Sequence, residues 1–296
     1  IFCELSGYKQ ISDSINKNIS PVSVTGLSHI HRVNLLYALE AENQTTLAIT
    51  GTDAEATKLC DDINQMAGKE IAAFFPSKEL ILTHAEGASN EYEQMRISAL
   101  ARVQSGECRI IVGGIEGIMQ PCIPPDILRN SNITIESGSE LDITELCSKL
   151  SLCGYERCEK VEGAGQFSVR GSIVDIFPVQ YSNPIRIELW GDEIDSVSYF
   201  DTESQRRGET LEKAYISPAS EVLYDNNELA DKIEKKLSAL RGKKAPLVRE
   251  KLGNDINRLR SGELLLNCHK YYPLVYDNTA TVFDYINGCL YRYKCF

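Results

Sequence analysis

The sequence predicts an α/β fold in which a small α+β domain is inserted into a parallel-sheet domain. Residues 20–113 alternate strand-like and helix-like stretches, as in parallel sheets joined by crossover helices. Residues 166–199 alternate apolar and polar side chains, as in half-buried antiparallel strands. Residues 228–260 carry apolar residues at helical spacing. The length of 296 residues allows about two domains.

The first region is predicted to contain four strands with helices between them. The predicted strands are PVSVTG, TTLAITG, EIAAFFP and CRIIVGG. Helices are predicted from Ser28 to about Glu42, directly after Thr52, and from Glu91 to Ser105. Thr52 and Glu55 have the spacing of a capping box, and Gly106 suits the end of the third helix.

The second region is predicted to be a helix at 143–152 followed by the antiparallel strands. Alternation places Phe167, Val169 and Ile173 on one face, and Ser168, Arg170 and Ser172 on the other. Arg186 and Glu188 are predicted to face outward on the next strand. We therefore expect a nucleotide-fold domain at 1–124, a small α+β domain at 125–212 and a helical segment at 213–296 that completes the first domain.

Composition restricts the class of protein. Hydrophobic residues make up 43% and charged residues 25%, which supports a packed core. No apolar stretch approaches the length that spans a bilayer, and the first residues do not resemble an export signal, so we expect a cytoplasmic protein. The ten cysteines contain no C-x-x-C pair. The spacing of Cys147, Cys153 and Cys158 fits no common zinc motif, so we predict reduced thiols and no metal or cofactor.

Charge argues against a general nucleic-acid clamp. The formal net charge is −11, which repels a polyanion at long range. Residues 228–260 are an exception, with ten Lys/Arg against five Asp/Glu. A solvated helix face is favoured there. Contact with DNA through Lys235, Lys236, Lys243 and Lys244 remains the alternative.

The segment from Gly26 to Val33 stands where an α/β protein places a phosphate-binding loop. A working loop reads G-x-x-x-x-G-K-[ST]. Here His31 replaces the second glycine, Arg32 the lysine and Val33 the Mg²⁺-binding hydroxyl. We therefore predict a degenerate phosphate loop, and the sequence shows no other catalytic motif.

Two longer segments resemble the amino-terminal module of bacterial transcription-repair coupling factors, which is itself similar to the first domains of the excinuclease subunit UvrB. They are GYERCEKVEGAGQFSVRGSIVDIFP at 154–178 and RIELWGDEIDSVSYFD at 186–201. Shorter matches are VTGLS at 24–28, Phe75-Pro76, Arg96, Pro124-Pro125 and Gln205-Arg206. The resemblance implies a degenerate P-loop NTPase-like (RecA-like) domain with an inserted domain like the second domain of UvrB.

The resemblance also implies a function. The module recruits the repair subunit UvrA, and the family's contact residues correspond to Arg157, Phe167, Arg170 and Glu188. UvrB typically has a further arginine where this chain has Ser168, which implies a smaller basic patch. From alternation alone, Phe167 is a core residue and Arg170 an exposed partner of Glu188. The full-length family adds a motor and an RNA-polymerase-binding domain, so those are further possible partners.

The alternative is UvrB itself, a nucleotide- and DNA-binding enzyme of excision repair. UvrB keeps an intact phosphate loop and a DNA-gripping hairpin rich in aromatic residues. The corresponding stretch here, 76–90, contains no aromatic residue, so we expect weak or no direct DNA binding. Arg292 and Lys294 are expected to spoil the strand with which the family pattern continues, which implies an atypical or truncated carboxyl end.

Overall fold

The computed structural model describes most of the chain. The described residues are 6–17, 19, 21–40, 45–78, 90–242, 244–263, 265, 268–286 and 290–292. The described helices are α1 (Ser6–Asn16), α2 (His29–Glu40), α3 (Asp53–Ala67), α4 (Glu91–Ser105), α5 (Ile115–Ile118), α6 (Pro125–Asn130), α7 (Ile143–Leu152), α8 (Asn226–Ala239), α9 (Ala245–Arg260) and α10 (Tyr272–Val275), with 3₁₀ helices at Cys268–Tyr271 and Val282–Tyr285. Among these, no helix is both long and apolar enough to cross a bilayer.

The strands within the described residues belong to three sheets. They are β1 (Thr46–Thr50), β2 (Ala72–Phe74), β3 (Ile110–Gly114), β4 (Ile133–Glu136), β5 (Glu156–Arg157), β6 (Gln166–Arg170), β7 (Ile173–Ile176), β8 (Ile185–Trp190), β9 (Glu193–Phe200), β10 (Arg207–Leu211), β11 (Lys213–Ile216) and β12 (Leu290–Arg292). Contacts within the chain divide it into two units, the first from Ile1–Lys78, Ser98–Pro125 and Ala280–Phe296, and the second from Glu79–Ile97 and Asp126–Thr279.

A parallel sheet in the order β12, β1, β3, β2 forms the core of the first unit. β1 pairs with β3 along its whole length, and all five residues of each strand are buried. Burial on both sides is usual for a parallel sheet, because crossover helices cover it. Val33 and Leu36 of α2 and Leu59 and Ile63 of α3 pack against it. The predicted parallel α/β sheet is confirmed.

Side chains fix both ends of α3. Thr52 caps its start, where the hydroxyl accepts a hydrogen bond from the Glu55 amide at 3.2 Å. In the last turn of the helix, the Asn64 side chain accepts hydrogen bonds from the amides of Ile71 and Ala72 at 2.9 and 2.8 Å and donates one to the Ala72 carbonyl at 3.0 Å. Asn64 thereby sets the turn that leads into β2.

Two strand predictions in the first unit are wrong. Residues 21–25, predicted as a strand from PVSVTG, are irregular, and Val22 and Val24 are exposed by 42% and 37%. A β-branched run makes a strand only where a neighbouring strand pairs with it. Conversely, Leu290–Arg292 pairs in parallel with β1, although Arg292 was expected to spoil a strand there. β12 is at the edge of the described sheet, a position that tolerates charged residues. Lys294 is outside the described residues.

A six-stranded sheet in the order β10, β9, β8, β7, β6, β5 forms the centre of the second unit. Its strands pair antiparallel except β5 with β6, as the alternation predicted for 166–199. Phe167, Val174, Ile185 and Ile187 pack into one core with Leu146 of α7. β4 and β11 form a separate antiparallel pair.

The predicted facing of Ile173 is wrong. Arg170 and Ile173 are direct register partners across the two-residue turn at Gly171 and Ser172. Direct partners in a sheet point to the same side. Ile173 therefore shares the face of Arg170, because the two-residue turn shifts the alternation of side chains by one position.

Helices α8 and α9 share a small core with the segment that follows them. Leu229 and Ile233 of α8 and Leu259 of α9 pack with Tyr271 and Tyr272. These helices belong to the second unit by their contacts. The division into domains at 1–124, 125–212 and 213–296 stays a prediction.

A fully buried ion pair connects α4 to the segment before α8. The Arg96 Nε lies 3.0 Å from Glu221 Oε1, and neither side chain is exposed to solvent. Two opposite charges in an apolar interior depend on each other, since either one alone would lack compensation for its lost hydration. Arg96 is thus a structural residue of the second unit.

Candidate partner-binding surface

Seven polar side chains and Ile173 line one side of the six-stranded sheet in two rows. The first row, from β6 to β9, is Ser168, Asp175, Arg186 and Ser198. The second row is Arg170, Ile173, Glu188 and Ser196. We call this side, defined by these eight residues, the polar sheet face. The opposite side belongs to the core that contains Phe167.

Asp175 holds two arginines on the polar sheet face. Its side chain is 2% exposed, and its Oδ2 accepts a hydrogen bond from Arg170 Nη2 at 2.6 Å. Arg186 donates to both carboxylate oxygens, from Nε at 2.7 Å and from Nη2 at 2.9 Å. This hydrogen bonding raises the pKa of Arg186 above its usual value. One carboxylate facing two guanidinium groups leaves one positive charge in excess.

Arg186 fastens the sheet to the turn after β9. Its guanidinium carbon lies 4.4 Å from the centre of the Phe200 ring, and its Nη2 donates to Gln205 Oε1 at 3.0 Å. Only 13% of the Arg186 side chain is exposed, against 47% for Arg170. Arg186 therefore has a structural role, whereas Arg170 is the arginine of this face that is exposed to solvent.

Arg170 and Glu188 do not pair with each other. Ile173 lies between them in the register, and Glu188 instead contacts Arg207 Nη1 at 3.4 Å and accepts from Ser196 Oγ at 3.2 Å. The exposed cross-strand pair that alternation suggested is therefore wrong. Arg170 and Glu188 do share the polar sheet face, as predicted, and Glu188 is 36% exposed.

The other two predicted contact residues, Phe167 and Arg157, do not lie on the polar sheet face. Phe167 is 1% exposed and lies in the core, so its ring shapes the sheet and is not available to a partner. Arg157 is exposed on the short strand β5, where it is the register partner of Phe167. The register therefore places Arg157 at the edge of the sheet and on the side opposite Arg170. Ser168, which the resemblance aligned with an arginine, is only 1% exposed.

The predicted phosphate loop has the backbone of a helix start. Gly26 has a φ of +75°, and α2 then begins at His29, so His31, Arg32 and Val33 are helical. The imidazole Nδ1 of His31 lies 3.0 Å from Ser28 Oγ. Val33 is fully buried in the core under the parallel sheet. A cleft of about 590 Å³ beside this segment is lined mainly by apolar groups, with His31 and Leu35 among its lining residues.

Comparison with known proteins finds a family match within the second unit. Residues 133–222 match the family model described as the UvrB interaction domain. The chain is 30% identical over 291 residues to the transcription-repair-coupling factor of Bacillus subtilis (strain 168), which covers 95% of this chain and 25% of that protein. It is 28% identical over 271 residues to the factor of Staphylococcus aureus (strain MRSA252), covering 88% and 23%. The chain is a relative of the transcription-repair-coupling factors and contains a UvrB interaction domain.

The resemblance predicted from the sequence is thereby confirmed. The matched residues 133–222 include β4 to β11 and all four predicted contact residues. This chain spans about a quarter of the length of the coupling factors that it matches.

Sequence reasoning missed Asp175 and Arg186 of this UvrB interaction domain. One signal was present, because Asp175 is the only charged residue in the apolar strand IVDI. A charge on a mostly buried strand requires a partner of opposite charge. Arg186 was predicted only as an outward polar residue, and its partner is on the neighbouring strand, which no local pattern identifies.

Proposed function

We propose that this chain is a non-catalytic UvrB-like module of a transcription-repair coupling factor that recruits UvrA in transcription-coupled nucleotide excision repair in the cytoplasm. The observation that carries the proposal is the half-exposed Arg170, which the buried Asp175 holds in place on the polar sheet face of the UvrB interaction domain. A guanidinium that is already oriented loses little conformational freedom when it binds. Within a full-length factor, the motor domains and RNA polymerase are further partners.

The polar sheet face favours a partner with carboxylates or carbonyl oxygens. Arginine offers planar donors that match such groups in pairs, and it is enriched among residues that dominate interface energy. Asp175 occupies part of the Arg170 guanidinium, through Nη2. Glu188, 36% exposed on the same face, adds an acceptor. This mixture of donor and acceptor specifies a partner more narrowly than a uniform basic patch would.

The proposal predicts that this chain and UvrB compete for one site on UvrA. In the measurement, the fluorescently labelled chain is bound to purified UvrA, and unlabelled UvrB is then added while anisotropy is followed. We expect the anisotropy to fall to the value of the free chain as UvrB saturates UvrA. A ternary complex that keeps the label bound, or no binding of the chain to UvrA, would reject the proposal.

We further propose that the first unit is a nucleotide-fold domain with a degenerate phosphate loop. The position of Val33 supports this, because a valine in the core cannot supply the Mg²⁺-binding hydroxyl of a working loop. His31 replaces a loop glycine by a residue with a large side chain. The alternative function is a nucleotide-dependent enzyme like UvrB. Such an enzyme would need the Mg²⁺-binding hydroxyl that Val33 replaces and the loop glycine that His31 replaces.

This second proposal predicts that Mg·ATP does not bind at micromolar concentration. Isothermal titration of the chain with Mg·ATP should give only the heat of dilution, whereas UvrB, run in parallel as the positive control, should give a saturable signal. We expect any affinity of the chain to be weaker than about 1 mM, equivalent to about −4 kcal/mol. A saturable 1:1 heat from this chain would favour the enzyme over the adaptor module.

We propose weak or no DNA binding by helices α8 and α9, which carry most of the basic residues of 228–260. Several of their charges are engaged, because Lys232 pairs with Glu228 at 2.7 Å and Arg260 contacts Asp231. Arg249 donates to the carbonyls of Leu237 and Leu240. Lys235, Lys236 and Lys244 are exposed, and Lys243 lies outside the described residues. Exposed lysines on a helix are most simply solubilising.

A further inference from the structure

Three metal-binding side chains meet in the second unit at a place that no motif predicted. Glu93 lies in the first turn of α4, and Cys268 and His269 begin the 3₁₀ helix Cys268–Tyr271. One donor atom from each residue lies within 4.8 Å of the other two. Glu93 and Cys268 are 7% and 5% exposed, and the His269 side chain is 22% exposed. We propose that these three residues bind a divalent transition-metal ion, with Zn²⁺ as the preferred ion.

The chemistry of the three donors favours zinc. A thiolate, an imidazole nitrogen and a carboxylate oxygen are the three ligand types that Zn²⁺ takes in proteins. Calcium and magnesium prefer oxygen ligands alone, so the thiol argues against them. The zinc bond lengths of about 2.0–2.3 Å place neighbouring ligand atoms roughly 3–4 Å apart in a tetrahedron. His269 Nε2 and Glu93 Oε2 are already 3.3 Å apart.

Neighbouring groups orient the carboxylate for this role. Glu93 Oε1 accepts hydrogen bonds from the Glu221 amide at 2.6 Å and from Ser220 Oγ at 2.9 Å. Its other oxygen, Oε2, is the one near His269. Hydrogen bonds that fix an outer oxygen of a ligating carboxylate are a usual part of metal sites. Ser220 Oγ also lies 3.8 Å from Cys268 Sγ, so the same hydroxyl touches two of the proposed ligands.

An ion pair between Glu93 and His269 is the simpler alternative. It accounts for the Glu93 and His269 side chains, and Cys268 would then serve only as a packed core residue. Three protein ligands leave one tetrahedral position for a water molecule. Bound metal would fasten the start of α4 to the segment after α9, which are about 170 residues apart in sequence. None of the three residues belongs to the polar sheet face, so the metal site and partner binding are tested separately.

The test uses the whole chain, stripped of metal and kept reduced, with ZnCl₂ and CoCl₂ as probes. We expect 1:1 Zn²⁺ binding that raises the thermal midpoint, and a thiolate-to-cobalt charge-transfer band with Co²⁺. His269→Gln should weaken Zn²⁺ binding by at least about tenfold. Cys268→Ser should remove the charge-transfer band. Cys158→Ser, which changes a partly buried thiol elsewhere, is the matched control and should leave both signals unchanged.

Two outcomes would overturn the metal site. One is the absence of saturable 1:1 binding by the wild-type chain, which would leave the Glu93–His269 ion pair as the whole explanation. The other is binding that is equal in the His269→Gln variant and the wild type, which would show adventitious capture by other thiols among the ten cysteines. The His269→Gln variant decides the question even if Cys268→Ser fails to fold, because the His269 side chain is partly exposed.

Discussion

Arg96→Met is expected to lower the free energy of unfolding of the second unit by about 3–5 kcal/mol. The substitution removes a guanidinium that is fully buried 3.0 Å from Glu221 and leaves that carboxylate in the protein interior. Methionine fills much of the same volume, so the loss comes mainly from the uncompensated charge. Replacing Glu221 as well, in Arg96→Met/Glu221→Met, should recover part of the stability, because no charge is then left buried.

Urea unfolding followed by circular dichroism measures this effect. Arg258→Met is the matched control, since Arg258 forms an ion pair with Glu263 at 3.1 Å in which the two side chains are 32% and 56% exposed. Such a surface pair contributes at most about 1 kcal/mol. The interpretation of Arg96 as a structural residue would be wrong if Arg96→Met cost no more than Arg258→Met.

Regular elements with a strong local pattern were predictable. The alternation in 166–199 predicted β6 to β9, and the cap at Thr52 predicted the start of α3. These patterns work because burial on one face or a single capping hydrogen bond is decided by neighbours in sequence. The irregular segment 21–25 and strand β12 depend on which distant strand is available for pairing. Local propensity carries no information about that.

The candidate surface was predictable in part, for a related reason. The resemblance and the alternation together predicted Arg170 and Glu188 on one face, and the structure places them there. The carboxylate that holds Arg170 was not predicted, because Asp175 acts across two strands at once. Alternation alone placed Phe167 in the core, and its 1% exposure agrees with that prediction. The local sequence pattern determines on which face of the sheet a side chain lies. The register of the whole sheet determines which side chains it can hydrogen-bond.

Arg170→Ala is expected to weaken binding of this chain to UvrA by about 30-fold, which corresponds to about 2 kcal/mol. Alanine removes the exposed donor on the polar sheet face, and it also leaves Asp175 with Arg186 as its remaining charged partner there. The fold should survive, because Arg186 keeps its two hydrogen bonds to Asp175. Arg170→Lys keeps the charge but loses the planar pair of donors, so we expect an intermediate affinity.

Arg157→Ala tests how far the binding surface extends. Arg157 is exposed on the edge strand β5, on the side of the sheet opposite Arg170. If UvrA reaches round this edge, Arg157→Ala should weaken binding, and the double variant Arg157→Ala/Arg170→Ala should lose more than Arg170→Ala alone. Arg241→Ala is the matched control, because Arg241 is exposed beyond the end of α8 and donates to the carbonyls of Ser238 and Leu240.

The affinity of purified UvrA for the wild-type chain, for Arg157→Ala/Arg170→Ala and for Arg241→Ala tests the central claim most directly. Equilibrium binding of the three labelled proteins, each confirmed as folded by circular dichroism, gives the comparison. We predict that the double variant loses at least about 30-fold in affinity and that Arg241→Ala binds like the wild type. Equal binding by all three proteins would contradict the assignment of the polar sheet face as the surface that recruits UvrA.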